Sequence, residues 1–364
     1  GTGPGARRRR RLDRLPDLTA SSKTVKTLVA VAVLLTALLG CAHHTPAWVD
    51  DEVTFTADGL TIHGTYRHLA GGPAGPAALL TSESGMTDRN GDNAVAGPVG
   101  NMRQLAEYLS GHGLASLRYD KVGTGQTGLG PYAAHPADVG SAVFTSGARA
   151  AVGFLASQPG TDRERLSVYG LGEGTTHAMA LATDASGGAP RIHALGLLQP
   201  LPGRYLDLIT ARVERDTAAA VKAGSKTAAQ ADGVVAAWTA AVAQARGAGT
   251  VPPGQLPDGL SAILNAGNVK AVVEADRIDP VAEAARIPAA TRVLLTCSDS
   301  DAQASCADIA PLRAALAHTD LTAVQLKGVN HVLRDDPTDN VANYAKKDPL
   351  SPQLISALDA FVTE

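Results

Sequence analysis

Apolar and polar positions alternate through "VTFTADGLTIHGTYR" (residues 53–67), and Asp58-Gly59 at its centre is a two-residue turn signature, so the pattern predicts a β-hairpin. From Ala77 the pattern changes. Short continuous apolar runs, "AALLT", "LASLRYD", "RLSVYG", "IHALGLLQ", "TRVLLTC" and "LTAVQLKG", alternate with segments of helical period. Runs of this length suit strands buried on both faces of a parallel sheet. The helical segments are predicted at Met102 to Ser110, Ala142 to Ala156, Thr175 to Ala182, Ala307 to Ala317 and Pro352 to Val362. This order predicts an α/β fold, a mostly parallel central sheet with helices on both faces. One stretch breaks it. From Tyr205 to about Ala285 the chain is alanine-rich and helical, with Leu206, Ile209 and Val213 at helical spacing and a second run around Trp238. Residues 203–285 are therefore expected to form a helical cap inserted between a core of 51–202 and 286–364, lying as a lid over the carboxyl edge of the sheet; a domain-packing helical hairpin is the alternative.

The amino terminus follows another rule. Arg7 to Arg11, Arg14, Lys23 and Lys26 precede an apolar run from Leu28 to Leu39 closed by Gly40 and Cys41. About 20 apolar residues are needed to span a bilayer, and this run is shorter, which marks residues 1–40 as an export signal. Leu38-Leu39-Gly40-Cys41 resembles a bacterial lipobox, which implies lipidation at Cys41, a tether over 41–50, and a protein exported to the cell envelope, lipid-anchored or secreted. Of the three cysteines, Cys297 and Cys306 then remain to form a disulfide in an oxidising compartment or to stay as separate thiols. No metal site is expected around them, and no cofactor is called for. The net charge of −3 gives no basis for nucleic-acid binding.

Ligands of an open parallel sheet bind beyond the carboxyl ends of its strands, so the residues after each apolar run are the candidates for chemistry. These are the loop "SESGMTDRNGDN" from Ser82 to Asn93, the turn Gly170-Leu171-Gly172-Glu173-Gly174, the acids Asp299 and Asp301, and His331 in "VNHVLRDD". The turn has the form of a GxSxG nucleophile elbow, with glycine where the serine should stand. At this point the chain resembles the α/β-hydrolase superfamily, in particular esterases of the EstD type and related serine aminopeptidase-like hydrolases. The loop Ser84 to Asn93 is similar to "GSGPTDRDGN" of that group, "LRYDKVGTGQT" to "RYDKRGxGxS", and "GVNHVL" to its histidine turn, over roughly Leu60 to Phe361.

The resemblance implies that His331 is general base and acid, that Asp301 orients it, with Asp299 competing for that role, and that N–H groups near Ser84 and of Glu173 form the oxyanion hole. It implies hydrolysis of a small ester or amide. Gly172 leaves the nucleophile position vacant, so serine-type activity is expected to be weak, rerouted or lost. Ser82, Ser84 or a water activated by His331 in the emptied space are the substitutes the sequence offers; Thr175 and Thr176 are expected to cap backbone groups and His177 to pack. A non-catalytic lipoprotein holding an apolar or acyl ligand in the same pocket is the alternative.

Overall fold

The computed structural model describes residues 47–363. The export signal, Cys41 and the first part of the tether lie outside the described residues. Eight strands form one sheet: β1 (Trp48–Ala57), β2 (Leu60–Leu69), β3 (Gly75–Thr81), β4 (Ala115–Tyr119), β5 (Thr161–Leu171), β6 (Ala194–Leu198), β7 (Arg292–Ser298) and β8 (Asp320–Leu326). Their spatial order is β1-β2-β4-β3-β5-β6-β7-β8. The first two pair antiparallel with each other and β2 pairs antiparallel with β4; the remaining pairs are parallel. Asp58 and Gly59 both take positive φ, 49° and 81°, the conformation that lets a two-residue turn match the twist of its strands.

The continuous apolar runs divide between two cores because alternate side chains point to opposite faces of the sheet. On β3, Ala77 and Leu79 join one core, while Ala78 and Leu80 join the other. Five helices cover the sheet: α1 (Asn101–Gly111), α2 (Ser141–Ser157), α3 (Gly174–Ala182), α8 (Cys306–Ala315) and α9 (Pro352–Val362). Leu105 and Leu109 of α1 and Leu354 and Leu358 of α9 close one face. Ala148, Val152 and Leu155 of α2, Met179 of α3 and Leu312 of α8 close the other.

Between β6 and β7 the chain is helical: α4 (Tyr205–Lys222), α5 (Ala228–Ala248), α6 (Val269–Asp276) and α7 (Pro280–Ala285). The first three share a small core of their own, in which Leu206, Val213 and Val273 surround the fully buried Trp238. Its indole Nε1 donates to Thr210 Oγ1 at 3.0 Å. Buried Asp276 ties this unit together, accepting from Arg204, Arg246 and the amide of Leu206. Tyr205, Leu208 and Arg212 of α4 line a cavity of about 380 Å³ with Ser84 and Glu173, so the inserted helices stand over the carboxyl ends of β3 and β5. Among the described residues no helix is long and apolar enough to cross a membrane.

Candidate active site

The turn after β5 is built as an elbow. Gly172 has φ 56°, in the left-handed region, and α3 begins two residues later. The flanking glycines permit the sharp reversal: a Cβ on Gly170 would come within 2.7 Å of the Gly174 backbone. Thr81 Oγ1 at the end of β3 donates to the Gly174 carbonyl at 2.8 Å and fixes the turn against its neighbour. Thr175 and Thr176 donate to the carbonyls of Gly172 and Glu173, so their hydroxyls serve the backbone of the turn.

His331 follows β8 and lies buried between two carboxylates. Its Nδ1 donates to Asp301 Oδ2 at 2.7 Å. Asp301 Oδ1 accepts the amides of Gln303 and Ala304, which fixes the loop after β7. Asp299, the competing acid, instead accepts from the Gly328 amide and Ser300. Cys297 and Cys306 are joined by a disulfide with Cα atoms 5.0 Å apart, and it closes the loop that carries Asp301.

The other carboxylate on His331 is Glu83, from the loop after β3. His331 Nε2 donates to Glu83 Oε2. Glu83 Oε1 accepts the amides of Ser84 at 2.6 Å and Glu173 at 3.2 Å, the two N–H groups expected to form the oxyanion hole. A Cβ built on Gly172 would fall inside the van der Waals envelope of both Glu83 oxygens. The space at the apex, expected to be vacant and open to water, is therefore filled: the Glu83 carboxylate lies over Gly172 and takes both of the N–H groups expected to form an oxyanion hole. Ser82 is not a substitute nucleophile, since its hydroxyl donates to the Thr87 carbonyl.

The charges support this arrangement. Burial works to raise the Glu83 carboxyl, but the His331 charge, its hydrogen bond and the two amides bring it down to about 2. Burial works to lower His331, and the two carboxylates overcome it and hold the ring well above its ordinary value. Asp301 is likewise lowered, against burial, by His331 and its hydrogen bonds. Both ring nitrogens of His331 face carboxylate oxygens, and the directions of the three shifts favour an imidazolium between two carboxylates. Lys121 Nζ donates to the Glu83 carbonyl and anchors the loop from behind. His177 is pushed down to about 4 by burial, with Lys121 adding to the effect, and its Nδ1 lies 3.1 Å from Thr145 Oγ1; it packs as a neutral ring.

Three contributors escaped the sequence reading. Glu83 is one, although aligning the loop motif on Thr87-Asp88-Arg89 sets Glu83 against the motif's first glycine. Lys121 is another. The third is Gln199, buried at the end of β6 with φ 44°, whose Nε2 donates to Asp301 Oδ2 at 2.6 Å and to the Asn330 carbonyl at 3.0 Å. A strained non-glycine backbone beside a catalytic-type acid is a positioning device that no linear pattern reveals. The remaining motif residues are structural: Asp120 accepts from the Arg89 amide and guanidinium and from the Gln126 amide, and Asp88 accepts the amides of Asn90 and Asp92.

A cavity of about 350 Å³ opens on Glu83 and His331. Among the described residues no group of three or more His, Cys, Asp or Glu is arranged to hold a metal ion.

No protein-family profile and no curated protein matches the chain by sequence. Solved structures do match by shape. A Pyrococcus furiosus esterase superposes with a TM-score of 0.53 at 15% identity, covering 87% of this chain and 91% of the esterase. A second crystal form of that esterase gives 0.51 at 14% identity, covering 88% and 90%. An α/β hydrolase from a Penicillium species gives 0.49 at 18% identity, covering 78% and 91%. The esterase likeness spans nearly both chains, and together with the strand order, the elbow after β5 and the acid and histidine after β7 and β8 it establishes that the chain has the α/β-hydrolase fold.

Proposed function

We propose that this protein is a hydrolase of small apolar substrates in which Glu83, His331 and Asp301 replace the serine, histidine and acid of an esterase. One observation carries the reading: the Glu83 carboxylate reaches the histidine, both oxyanion-hole amides and the space over Gly172 at once. A glutamate with no task would not be turned largely out of solvent, with its side chain 16% exposed, against the histidine ring and two convergent N–H groups, because desolvating a carboxylate costs several kcal/mol. Ionised at neutral pH, the carboxylate can act on a substrate or on water without a base to deprotonate it first. The export signal and Cys41 support a place for the mature protein at the outer face of the cytoplasmic membrane, with a small ester, amide or acyl compound as its ligand.

The test uses 4-nitrophenyl acetate, an activated ester whose leaving group makes little demand on an oxyanion hole, together with fluorophosphonate labelling. The protein beginning at Ala42 is expected to hydrolyse the ester and take no fluorophosphonate label, and Glu83→Gln and His331→Gln are each expected to lose the turnover. Turnover that survives both substitutions, or none above buffer in the parent, refutes the hydrolase. The second outcome leaves a pocket that binds an apolar ligand without converting it, the reading favoured by the oxyanion hole being filled from within.

A further inference from the structure

We infer that the Glu173 side chain is the acid that protonates the leaving group, and that the site is fitted to esters of unactivated, apolar alcohols whose alcohol part lies beneath α4. This rests on the pocket being hydrolytic, and it names the end of the substrate that departs.

His331 has little left to give a leaving group. In a serine hydrolase the histidine returns its proton to the departing oxygen or nitrogen. Here Nδ1 donates to Asp301 and Nε2 is turned to Glu83, so both ring nitrogens are taken. The other donors near the elbow are also engaged: Thr175 and Thr176 on the carbonyls of the turn, Lys121 on the Glu83 carbonyl, Tyr344 on Asp339 Oδ1. An alkoxide is too basic to leave without a proton, so an ester of an ordinary alcohol needs a donor of its own. The need is sharper because Glu83 Oε1 holds the two amides that would otherwise stabilise charge on the substrate.

Glu173 is the group without a task. Its amide and carbonyl serve the turn, but its half-buried carboxyl makes no hydrogen bond among the described residues. Burial raises that carboxyl above its ordinary value against the pull of Lys121, and Glu83 adds to the rise. It keeps its proton to higher pH than an exposed glutamate, with no neighbour accepting it. Tyr205 stands in the same cavity, but burial and the nearby Glu173 make its hydroxyl a weaker acid than usual, against a small opposing effect of Arg212.

Two cavities meet at this residue. Glu173 lines the space of about 380 Å³ beneath α4, and the space of about 350 Å³ on Glu83 and His331 adjoins it, since Ser84 and Gln303 border both. An acyl group lying in the second, beside Glu83, passes its alcohol across Ser84 into the first, where Glu173 follows Gly172 directly. Leu201, Leu208 and Ile209 give that chamber an apolar wall. Its charged groups besides Glu173 are Arg212 and Arg215 of α4 and Asp308 of α8, while Glu83 and Lys121 act on Glu173 from the loops after β3 and β4.

The protons balance. Water adds to the ester carbon as the Glu83 carboxylate takes its proton. The bond from carbon to the leaving oxygen then breaks, and that oxygen keeps the electron pair and receives the proton of Glu173. Glu83 releases its proton to solvent and Glu173 regains one. The sum is ester and water giving carboxylic acid and alcohol.

The experiment compares 4-nitrophenyl, phenyl and benzyl acetates, whose leaving groups share a ring and grow more basic in that order, on the protein from Ala42 and on Glu173→Gln. The parent is expected to turn over all three. In Glu173→Gln the ratio of kcat/KM for benzyl acetate to that for 4-nitrophenyl acetate should fall by about 10²-fold or more, because a nitrophenolate leaves without a proton. The parent should also lose benzyl acetate turnover as pH rises through the raised Glu173 value, a limb missing with 4-nitrophenyl acetate and missing in the variant. Equal losses on the two esters, in a variant that melts with the parent, overturn the inference and make Glu173 structural. Should the variant not fold, the unaltered chain decides: a limb on benzyl acetate alone supports the inference, and the same limb on both esters, or on neither, overturns it. A parent that cleaves 4-nitrophenyl acetate but not benzyl acetate also overturns it and leaves the hydrolase intact. Turnover of none of the three removes both.

Discussion

Restoring the serine at position 172 by itself should harm this protein. The new Cβ and Oγ would overlap both oxygens of Glu83, so the carboxylate has to leave the hole. In leaving, it forfeits the amides of Ser84 and Glu173 and the bond from His331, and it leaves a buried imidazolium with one carboxylate instead of two. The gross loss is large, since each bond to a charged group contributes roughly 1.5–3 kcal/mol. Much of it returns when the carboxylate is hydrated in the adjoining cavity, and overpacking at a buried site typically nets about 1–3 kcal/mol. A side chain at φ 56° adds about 1 kcal/mol more. Gly172→Ser should therefore destabilise the fold by about 2–4 kcal/mol, a fall in Tm of roughly 3–6 °C, and the displaced carboxylate should keep it silent toward fluorophosphonate. Glu83→Gly removes the obstacle. The double variant is expected to be about as stable as Glu83→Gly alone, giving a coupling energy of about 2–3 kcal/mol in a double-mutant cycle read by urea denaturation. It should also take the fluorophosphonate label and hydrolyse 4-nitrophenyl acetate at least about 10³-fold faster than Gly172→Ser. Additive destabilisation, or labelling of Gly172→Ser at the parent's Tm, would show that Glu83 does not hold that space.

Three further outcomes follow from the charges and the cross-link. The Glu83 carboxyl is depressed from 4.5 to about 2, so its stabilisation, on the order of 3 kcal/mol, is complete above pH 4.5 and lost as pH falls toward 2. His331 is raised above 6.5, so its share is complete below that pH and lost as pH rises through the elevated value. Urea midpoints should thus be highest between about pH 4.5 and 6.5, and Glu83→Gln should flatten the acid side without removing the part due to Asp301. Asp301→Asn should lower turnover of 4-nitrophenyl acetate by about 10³–10⁴-fold, because His331 loses the carboxylate that orients it. Reducing the Cys297–Cys306 bond should cost about 2–3 kcal/mol, read as a lower melting temperature in dithiothreitol, with activity falling as the Asp301 loop loosens.

The sheet was legible because its signals are periodic. Continuous apolar runs mark strands covered on both faces, and Leu79 and Leu80 turning to opposite cores is the physical form of that pattern. The helices between β6 and β7 were legible for a similar reason, the helical spacing of Leu206, Ile209 and Val213. The elbow, Asp301 and His331 could be placed because strand ends carry chemistry in this architecture. Glu83 could not be weighed in the same way. A carboxylate in a glycine-containing loop has no period, and its role depends on reaching a residue on another strand whose side chain is missing. Gln199 escaped for a related reason: its position follows from backbone strain after β6, which sequence does not record.

The overlap between positions 83 and 172 also limits how such a site can change over generations. Serine at the apex and glutamate in the loop compete for one space, so a lineage holding both carries the cost of the displaced carboxylate without the use of the serine. Glycine at 172 with glycine at 83 is a pairing free of that overlap, an open hole with no nucleophile. A chain that began with serine gains a seated Glu83 only after giving the serine up, and a chain carrying Glu83 does not recover a working serine in one step. Gly172 is then less the remnant of a lost residue than the condition under which the other side chain could enter.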